Sequence, residues 1–334
     1  MKPDPSPAQP QTRGCPFHAE AAAEGLPAPT AGPVYRRPLG LLHHRGVRQE
    51  IAGLDARQDC ERIVYLLSAY EFPFDLRRAL EVALFHTYGS RSVARLLDRT
   101  GQFQCAGQKR YDDTNLLIAQ FMEAGWQGPL GARAIARMNA IHSHYRIPND
   151  DFLFVLWTFI DFPIQWLADF GWRPLTAHEQ TAWVHYWLQI GQQMGLRDLP
   201  ADKPAFDAFV QAYEAREMTP NPASARVADA TVAIMQAWLP RPLRGLVRPT
   251  AACLARPALL QAAGFQTPPR WWRSTVLSAL KLRSRIKAWV SIERYPTLLG
   301  GRAYRSYPAG LPAIEAIGPA VLRGPRPVDM GAER

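Results

Sequence analysis

Apolar residues recur along this chain at helical rather than strand spacing, and this recurrence limits the fold more than any other feature. In the clearest stretch, Ile135, Met138 and Ile141 fall three residues apart, and His142 and Tyr145 continue the same side. That spacing gives one inward-facing stripe on an α-helix. Alternating apolar and polar runs bounded by Asn-Gly or Asp-Gly turns are missing from the sequence. The pattern therefore predicts an all-α fold, a single multi-helix bundle.

Length and composition favour one globular domain. The 334 residues are 47% hydrophobic and 20% charged, which is enough apolar material for a large core. We expect a disordered N-terminal lead at residues 1–33, a helical domain at 34–318 and a loose tail at 319–334. The lead has Pro, Glu and Asp residues where a signal peptide needs an uninterrupted apolar run. Four cysteines without a CxxC pair indicate a reducing compartment, which predicts a cytoplasmic location.

Positive charge is concentrated in the C-terminal third. Residues 230–305 contain thirteen Lys or Arg residues and one acidic residue, a net of +12, whereas the whole chain carries +10. Trp271, Trp272 and Trp289 lie in the same stretch. Such a segment can make peripheral contact with an anionic membrane or an acidic partner, and a solvated positive face is the simpler alternative. Nucleic acid is disfavoured as a partner, because prolines interrupt the basic residues and no recognised nucleic-acid-binding module accompanies them.

Local signals predict several helix boundaries. Thr176 and Glu179 match a capping box, which opens a helix that Gly195 ends. Residues 152–162 form an apolar run, too short to span a bilayer, and we expect Pro163 to kink or interrupt that helix. Further helices are predicted near residues 203–217, 225–238, 250–263 and 272–291.

Two groups of polar residues have the composition of helix N-termini. Asp112, Asp113 and Thr114 precede the apolar run at 116–122, where carboxylates would face free backbone amides and the positive end of the helix dipole. Asn149 is expected to cap the following helix for the same reason. Capping alone would explain these residues without any chemistry.

His142 is the histidine that the pattern singles out. The sequence contains no GxGxxG, P-loop, GxSxG or HExxH signature, which disfavours several enzyme classes. A helix-borne imidazole in an apolar stripe commonly holds haem iron on its proximal side. A buried histidine that only makes packing hydrogen bonds has the same spacing, so both interpretations stay open. Arg133, Arg137 and His144 form a separate stripe on the opposite side of this helix.

Four closely spaced motifs follow one another in the middle of the chain. They are RYDDT at 110–114, RMNAIHSHY at 137–145, IPNDDFLF at 147–154 and FGWRPLT at 170–176. Weaker matches run from FHTYG at 85–89 to YPAG at 307–310. Together these motifs resemble the catalytic domain of the MpaB-type and rubber oxygenase family, which includes the latex clearing proteins. The resemblance covers most of residues 85–312 and lies nearest to the MpaB-like branch.

The resemblance implies a helical fold that binds one haem b, whose iron activates dioxygen to cleave carbon-carbon double bonds in prenyl or polyisoprenoid substrates. It makes His142 the proximal iron ligand. It also places Arg110, Asp113 and Thr114 in the polar, catalytic group on the distal side, with Arg110 and Thr114 close to the cofactor. Arg137 would support His142 or reach a haem propionate.

The family comparison leaves alternatives for the ligand and the distal group. His86, His144 and His185 are the other candidate iron ligands. The rubber-cleaving branch has a basic residue where Asp113 stands, so the distal chemistry of this chain would differ from that branch.

Two other functions are compatible with the sequence. A haem protein with hydroxylase or peroxidase-like chemistry would show the same motifs. A non-enzymatic helical binding protein with a basic, lipid-facing or partner-facing surface would need no cofactor. For the aromatic residues Phe152, Phe154, Trp157 and Phe159, core packing is preferred over lining a channel for an apolar small-molecule or lipid substrate.

Overall fold

The computed structural model describes Tyr35, residues 45–290 and residues 303–319. The all-α prediction is confirmed: this part of the chain contains thirteen α-helices and no β-strand. The α-helices are α1 (Arg45–Gly53), α2 (Cys60–Leu66), α3 (Pro73–Thr87), α4 (Arg91–Thr100), α5 (Gln102–Ala124), α6 (Pro129–His142), α7 (Asn149–Phe170), α8 (Ala177–Gln193), α9 (Lys203–Glu217), α10 (Pro222–Ala237), α11 (Val247–Leu254), α12 (Pro257–Ala262) and α13 (Arg270–Trp289).

The long apolar helix α7 forms the centre of the bundle. It packs most extensively against α3, and α8 and α9 cover further sides. Phe154, Ile160 and Leu167 of α7 are completely buried. By length and composition alone α7 could cross a membrane, but 72% of its most apolar window is buried inside the fold. In this structure α7 is a core helix.

Of the kink or interruption predicted at Pro163, the interruption is wrong, since α7 continues through it to Phe170. A proline inside a helix has no N–H to donate to the carbonyl four residues earlier. That carbonyl belongs to Phe159, and the Trp183 indole of α8 donates to it at 3.1 Å. The neighbouring helix thus satisfies the carbonyl that the proline leaves free.

The predicted helix start at Asp112 is also wrong. Helix α5 begins ten residues earlier, at Gln102, and has a kink at Ala106, where φ is −142° and ψ is 37°. Asp112 and Asp113 are therefore helical residues. Their carboxylates bind Gln108, Lys109 and the distant Ser306 backbone instead of free amides at the start of their own helix. Gly101 sets the boundary, because its left-handed φ of 64° ends α4 and starts α5.

The other predicted boundaries agree with the structure only in part. The Thr176 and Glu179 capping box is complete, and α8 ends before Gly195, whose φ is positive as expected. The predicted cap at Asn149 is shifted, because Pro148 occupies the cap position and the Asn149 amide binds the Arg197 backbone. The helix predicted at 250–263 is divided into α11 and α12.

The last described stretch, residues 303–319, runs back over α5 and α6, and we call it the C-terminal strap. A single 3₁₀ turn, Ile314–Ala316, packs against α6. Ile314 and Ile317 are buried there. The predicted lead at 1–33 lies outside the described residues, as does the predicted tail apart from Pro319.

Candidate functional site

A cavity of about 280 Å³ lies between the central helices and the strap. This volume is near the lower end of the range for small-molecule pockets. Its walls are largely apolar, and the side chains come from α3, α4, α5, α6, α7, α8 and α10. The aromatic residues on its walls are Phe85, Tyr88, Phe103, Tyr111, Phe121, Tyr145, Phe152, Phe159, Trp187 and Trp238.

The predicted aromatic group of α7 is divided between the cavity and the core. Phe152 and Phe159 line the cavity, whereas Phe154 and Trp157 do not. Phe159 stacks on Trp187 of α8, with ring centroids 4.9 Å apart. Two of these four aromatic residues therefore line the cavity, and the other two are buried in the core.

His142 is the last residue of α6, and its ring faces the cavity. The ring lies 5.2 Å from the Phe152 ring, between centroids. Its Nδ1 atom is buried, and among the described residues neither ring nitrogen has a hydrogen-bond partner. Burial, assisted by the Arg110 charge, lowers the pKa of His142 to about 4. The imidazole is therefore neutral at physiological pH, which is the form that binds metals.

The close packing of α6 on α5 sets the direction of this ring. Gly131, in the first turn of α6, is pressed against the end of α5, where an added Cβ atom would lie 1.8 Å from the Gly125 carbonyl oxygen. Ile135 on the same stripe is buried, and Met138 and Ile141 line the cavity. The predicted inward stripe of α6 is confirmed, and it carries His142 into the cavity.

Arg110 and Thr114 stand one turn apart on α5 and line the same cavity. The Arg110 guanidinium donates to Thr114 Oγ1 at 2.6 Å, and the Thr114 hydroxyl donates to the Arg110 carbonyl at 2.9 Å. Within the described ranges, Arg110 has no carboxylate partner. Its charge lowers the pKa of His142 and opposes the burial-driven rise in the pKa of Tyr145. An uncompensated guanidinium thus faces a mainly apolar space.

Asp113 also lines the cavity, but its carboxylate is already paired. Lys109 donates to one oxygen at 2.7 Å, and the hydroxyl of Tyr307 donates to the other. Lys109 reaches the strap as well, at the Gly318 carbonyl, over 3.0 Å. The neighbouring Asp112 accepts from the backbone N–H of Ser306 at 2.9 Å. These two carboxylates attach the strap to α5.

Arg137 lies outside the cavity wall. Its Nε atom donates to the Ile317 carbonyl at 2.7 Å, and Arg133 pairs with Glu315 of the strap at 2.8 Å. The spacing prediction that these two arginines leave α6 on another side than His142 is confirmed. Their partners belong to the strap.

The other candidate histidines do not line the cavity. His86 is buried and pairs with Glu214 at 2.7 Å. His144 binds the Ala140 carbonyl at 2.7 Å, and His185 lies half-buried on α8. Among the described residues, His142 is thus the histidine at the cavity wall. That part of the chain also contains no group of three or more His, Cys, Asp or Glu side chains placed to hold a metal ion.

The strap is the part of the site that sequence reasoning missed. Lys109 and Tyr307 were not identified as partners, and Gly318 and Pro319 complete the cavity wall. The weak YPAG match at 307–310 was the available signal, but it gave no indication of what Tyr307 binds.

Comparisons with known proteins identify the family. Residues 87–285 match the family described as the catalytic domain of the ER-bound oxygenase mpaB/B′ and rubber oxygenase. The matched part exceeds half of the chain, so this protein belongs to that family of oxygenase catalytic domains. The resemblance seen in the motifs is confirmed, and an enzyme is favoured over a non-enzymatic binding protein.

Similar proteins are found among fungal enzymes. The chain is 30% identical over 249 residues to the ER-bound oxygenase mpaB′ of Penicillium brevicompactum, covering 68% of this chain and 58% of that protein. It is 33% identical over 189 residues to the ER-bound oxygenase mpaB of Penicillium roqueforti (strain FM164), covering 51% of this chain and 63% of that protein. The chain thus spans about three fifths of the length of these relatives.

Proposed function

We propose that this protein is a haem b-dependent oxygenase that cleaves a carbon-carbon double bond in an apolar substrate of the prenyl or polyisoprenoid class. The observation that carries the proposal is the neutral, unpartnered imidazole of His142 on the wall of an apolar cavity. Membership of an oxygenase family supports the reaction class.

The donor set of the cavity suits haem. In haem the porphyrin supplies most of the ligands of the iron, and the protein supplies the remaining one or two. One imidazole with a buried, unpartnered Nδ1 atom meets that need, and His142 would hold the iron. Arg110, the cationic group beside it, is the residue that would face a propionate or a bound polar ligand. When bound, haem would supply the redox chemistry that activates dioxygen.

The side chains of the cavity would position the substrate and exclude water. Phe152, Phe159 and Trp187 offer apolar surface to an alkene chain. Arg110, held by Thr114, provides positive charge for developing negative charge on oxygen, and the low polarity of the cavity increases its effect. Tyr145 is a neutral hydroxyl-bearing neighbour, because burial raises its pKa.

In this proposal Asp113 and Arg137 act indirectly, through the strap. Both Asp113 oxygens are occupied, and Arg137 binds the strap backbone. We propose that both hold the strap, whose Gly318 forms part of the cavity wall, and thereby position the catalytic and cofactor-binding groups.

The location of the enzyme is part of the proposal. The matched Penicillium proteins are named ER-bound. For this chain we propose a cytoplasmic enzyme that meets its lipid-like substrate and dioxygen at the periphery of a membrane.

Absorption spectroscopy tests the proposal. Purified protein titrated with hemin should develop an intense Soret band at one equivalent, and the loaded protein should consume dioxygen with a linear isoprenoid alkene and release carbonyl products. Mass spectrometry of the products separates cleavage, which gives two carbonyl fragments, from hydroxylation, which leaves the chain intact. Protein that remains colourless after titration with hemin would overturn the haem assignment.

A further inference from the structure

Helix α13 differs from every other long helix in the described part of the chain, because none of its residues is buried. Its sequence contains no acidic residue and six basic residues, Arg270, Arg273, Lys281, Arg283, Arg285 and Lys287. At 1.5 Å per residue the helix is about 30 Å long. It presents a long cationic surface to solvent.

One side of α13 is apolar and exposed. Trp271, Leu282, Ile286 and Trp289 are 68%, 58%, 57% and 79% exposed. They fall at i, i+11, i+15 and i+18, which places them within a narrow arc at 100° per residue. We call these four residues the α13 apolar face. Large apolar side chains at this exposure usually mark a binding surface.

In the described part of the chain, the large apolar residues that are exposed are confined to this region. All eight large hydrophobic residues that are exposed in the described ranges lie between 239 and 290. Besides the α13 apolar face they include Leu239, Leu243 and Leu246, which follow Trp238 of the cavity wall. The surface elsewhere has no comparable residue among those described, so a general excess of apolar residues does not explain the concentration.

The α13 apolar face is held in a fixed orientation by the other side of the helix. Arg283 points into the protein and pairs with the buried carboxylate of Asp75 at 2.8 Å. Its guanidinium also lies 3.9 Å from the centre of the Phe74 ring. Because the helix is anchored by these contacts, its exposed side is a defined surface of the folded protein.

Basic residues border the α13 apolar face. Lys281 and Arg285 follow one edge of it, are exposed, and have no carboxylate partner among the described residues. An apolar stripe with tryptophans at both ends and cations along its edge is the pattern of a helix that lies in the interface of an anionic bilayer. A second copy of the chain would bring two such cationic helices together, and a nucleic acid would leave Leu282 and Ile286 without apolar contacts.

We propose that the α13 apolar face, with Lys281 and Arg285, docks the protein on the surface of an anionic lipid bilayer. Trp271, Leu282, Ile286 and Trp289 would enter the boundary between headgroups and acyl chains. The two cations would remain at the level of the lipid phosphates. This docking does not depend on the chemistry proposed for the cavity.

Vesicle flotation with the full chain tests the proposal. We expect binding to vesicles of 70% phosphatidylcholine and 30% phosphatidylglycerol, weaker binding as salt is raised, and at least about tenfold weaker binding to phosphatidylcholine alone. The variant W271S/W289S should lower the affinity for anionic vesicles at least about tenfold, whereas W271F/W289F should retain most of it.

A charge-reversed pair tests the electrostatic part. K281E/R285E should weaken vesicle binding at least about tenfold. The matched control R57E/R95E changes the net charge equally at exposed positions of other elements, and it should bind within about twofold of the parent protein. Hemin uptake should be unchanged in all of these variants, so failure of docking and failure of the haem proposal are distinguishable.

Three results would overturn the docking proposal. They are absence of vesicle binding by the full chain at low salt, equal binding by W271S/W289S, and equal loss in the R57E/R95E control. If light scattering instead shows a dimer that the tryptophan variant dissociates, and no vesicle binding is seen, the α13 apolar face is an interface between copies of this chain.

Discussion

The paired helices α5 and α6 have two sides, one facing the strap and one facing the cavity. The two sides differ in how far their polar groups are paired with other groups of the protein. On the strap side, Lys109 and Asp113 bind each other and the strap. On the cavity side, within the described ranges, the Arg110 guanidinium hydrogen-bonds only to Thr114, and His142 has no hydrogen-bond partner. Among the described residues, the same two helices therefore carry a paired Lys109–Asp113 couple on one side and an arginine without a carboxylate partner on the other.

This difference indicates which residues stabilise the fold and which are available to bind a ligand. Buried polar groups in proteins are nearly always paired, so an unpaired buried group needs an explanation. The strap network stabilises the fold without any added molecule. On the cavity side the unpartnered His142 ring is open to a ligand, and buried titratable groups with shifted pKa values are typical of functional sites. Substitutions on one side at a time therefore separate the two roles.

The largest effect is expected for His142→Ala. Removing the proposed iron ligand should lower hemin affinity at least about 100-fold, because even loss of a supporting hydrogen bond to a ligand costs 10–100-fold. Hemin titration followed at the Soret band measures this. His144→Ala is the matched control, since this residue lies two positions further on and does not line the cavity, and it should bind hemin normally. Normal hemin binding by His142→Ala would contradict the assignment.

Arg110→Leu should affect the reaction more than hemin binding. Loss of a preorganised positive group beside the reacting centre should lower kcat about 100-fold, while the Soret band stays close to that of the parent protein. Oxygen consumption with an isoprenoid alkene measures the change. Arg133→Leu, which removes an arginine from the strap side of α6, is the control and should leave kcat within about threefold. Equal losses in the two variants would show that Arg110 has no special role.

Asp113→Asn should act mainly on stability. Removing a buried charge that pairs with Lys109 leaves the ammonium without compensation, so the free energy of unfolding should fall by about 3 kcal/mol. Urea unfolding of the hemin-free protein measures the loss. Tyr307→Phe, which removes the other partner of Asp113, should give a smaller loss in the same direction, of about 1 kcal/mol. Unchanged stability with a large fall in kcat would instead place Asp113 in the chemistry.

The stability of the hemin-free protein should depend on pH through His142. The folded-state pKa is about 4, against an unfolded value of 6.5. Between these values the unfolded chain takes up a proton that the folded protein excludes. The free energy of unfolding that depends on a neutral His142 is therefore fully present above about pH 6.5. It is lost as pH falls to about 4, and it amounts to about 2 to 3 kcal/mol.

His142→Phe isolates this contribution, because other buried groups such as His86 titrate in both proteins. As pH is lowered from 7 to 4, the free energy of unfolding of the parent protein should fall by more than that of the variant, because only the parent contains His142. A difference that is constant over this range would show that His142 is not shielded from protonation in the folded state.

The smallest effect is expected on the exposed part of the strap side. Arg133 and Glu315 are 44% and 59% exposed, so water screens their ion pair. Glu315→Gln should change the free energy of unfolding by less than about 1 kcal/mol and should leave hemin binding unchanged. Urea unfolding decides this. If Glu315→Gln lowered the free energy of unfolding as much as Asp113→Asn, the 3₁₀ turn and not the Lys109–Asp113 pair would be the main attachment of the strap.

The sequence by itself determined the helical class, several helix boundaries and the inward direction of His142. These features depend on residues a few positions apart, as in the Thr176 and Glu179 capping box and the stripe of α6. The family resemblance added the motifs around Arg110 and His142, and the family comparison confirmed it. Local spacing and local chemistry carry this information directly.

Only the tertiary structure decided which polar residues are paired. Asp113 binds Tyr307 across 194 positions of the chain, and the carbonyl left free by Pro163 is satisfied by a tryptophan of another helix. No local pattern encodes such partners, so Asp113 was predicted to lie at a helix start and Pro163 to kink or interrupt a helix. The contrast between the paired Asp113 carboxylate and the unpartnered His142 ring exists only once the chain has folded, because it depends on which distant groups arrive within hydrogen-bond distance.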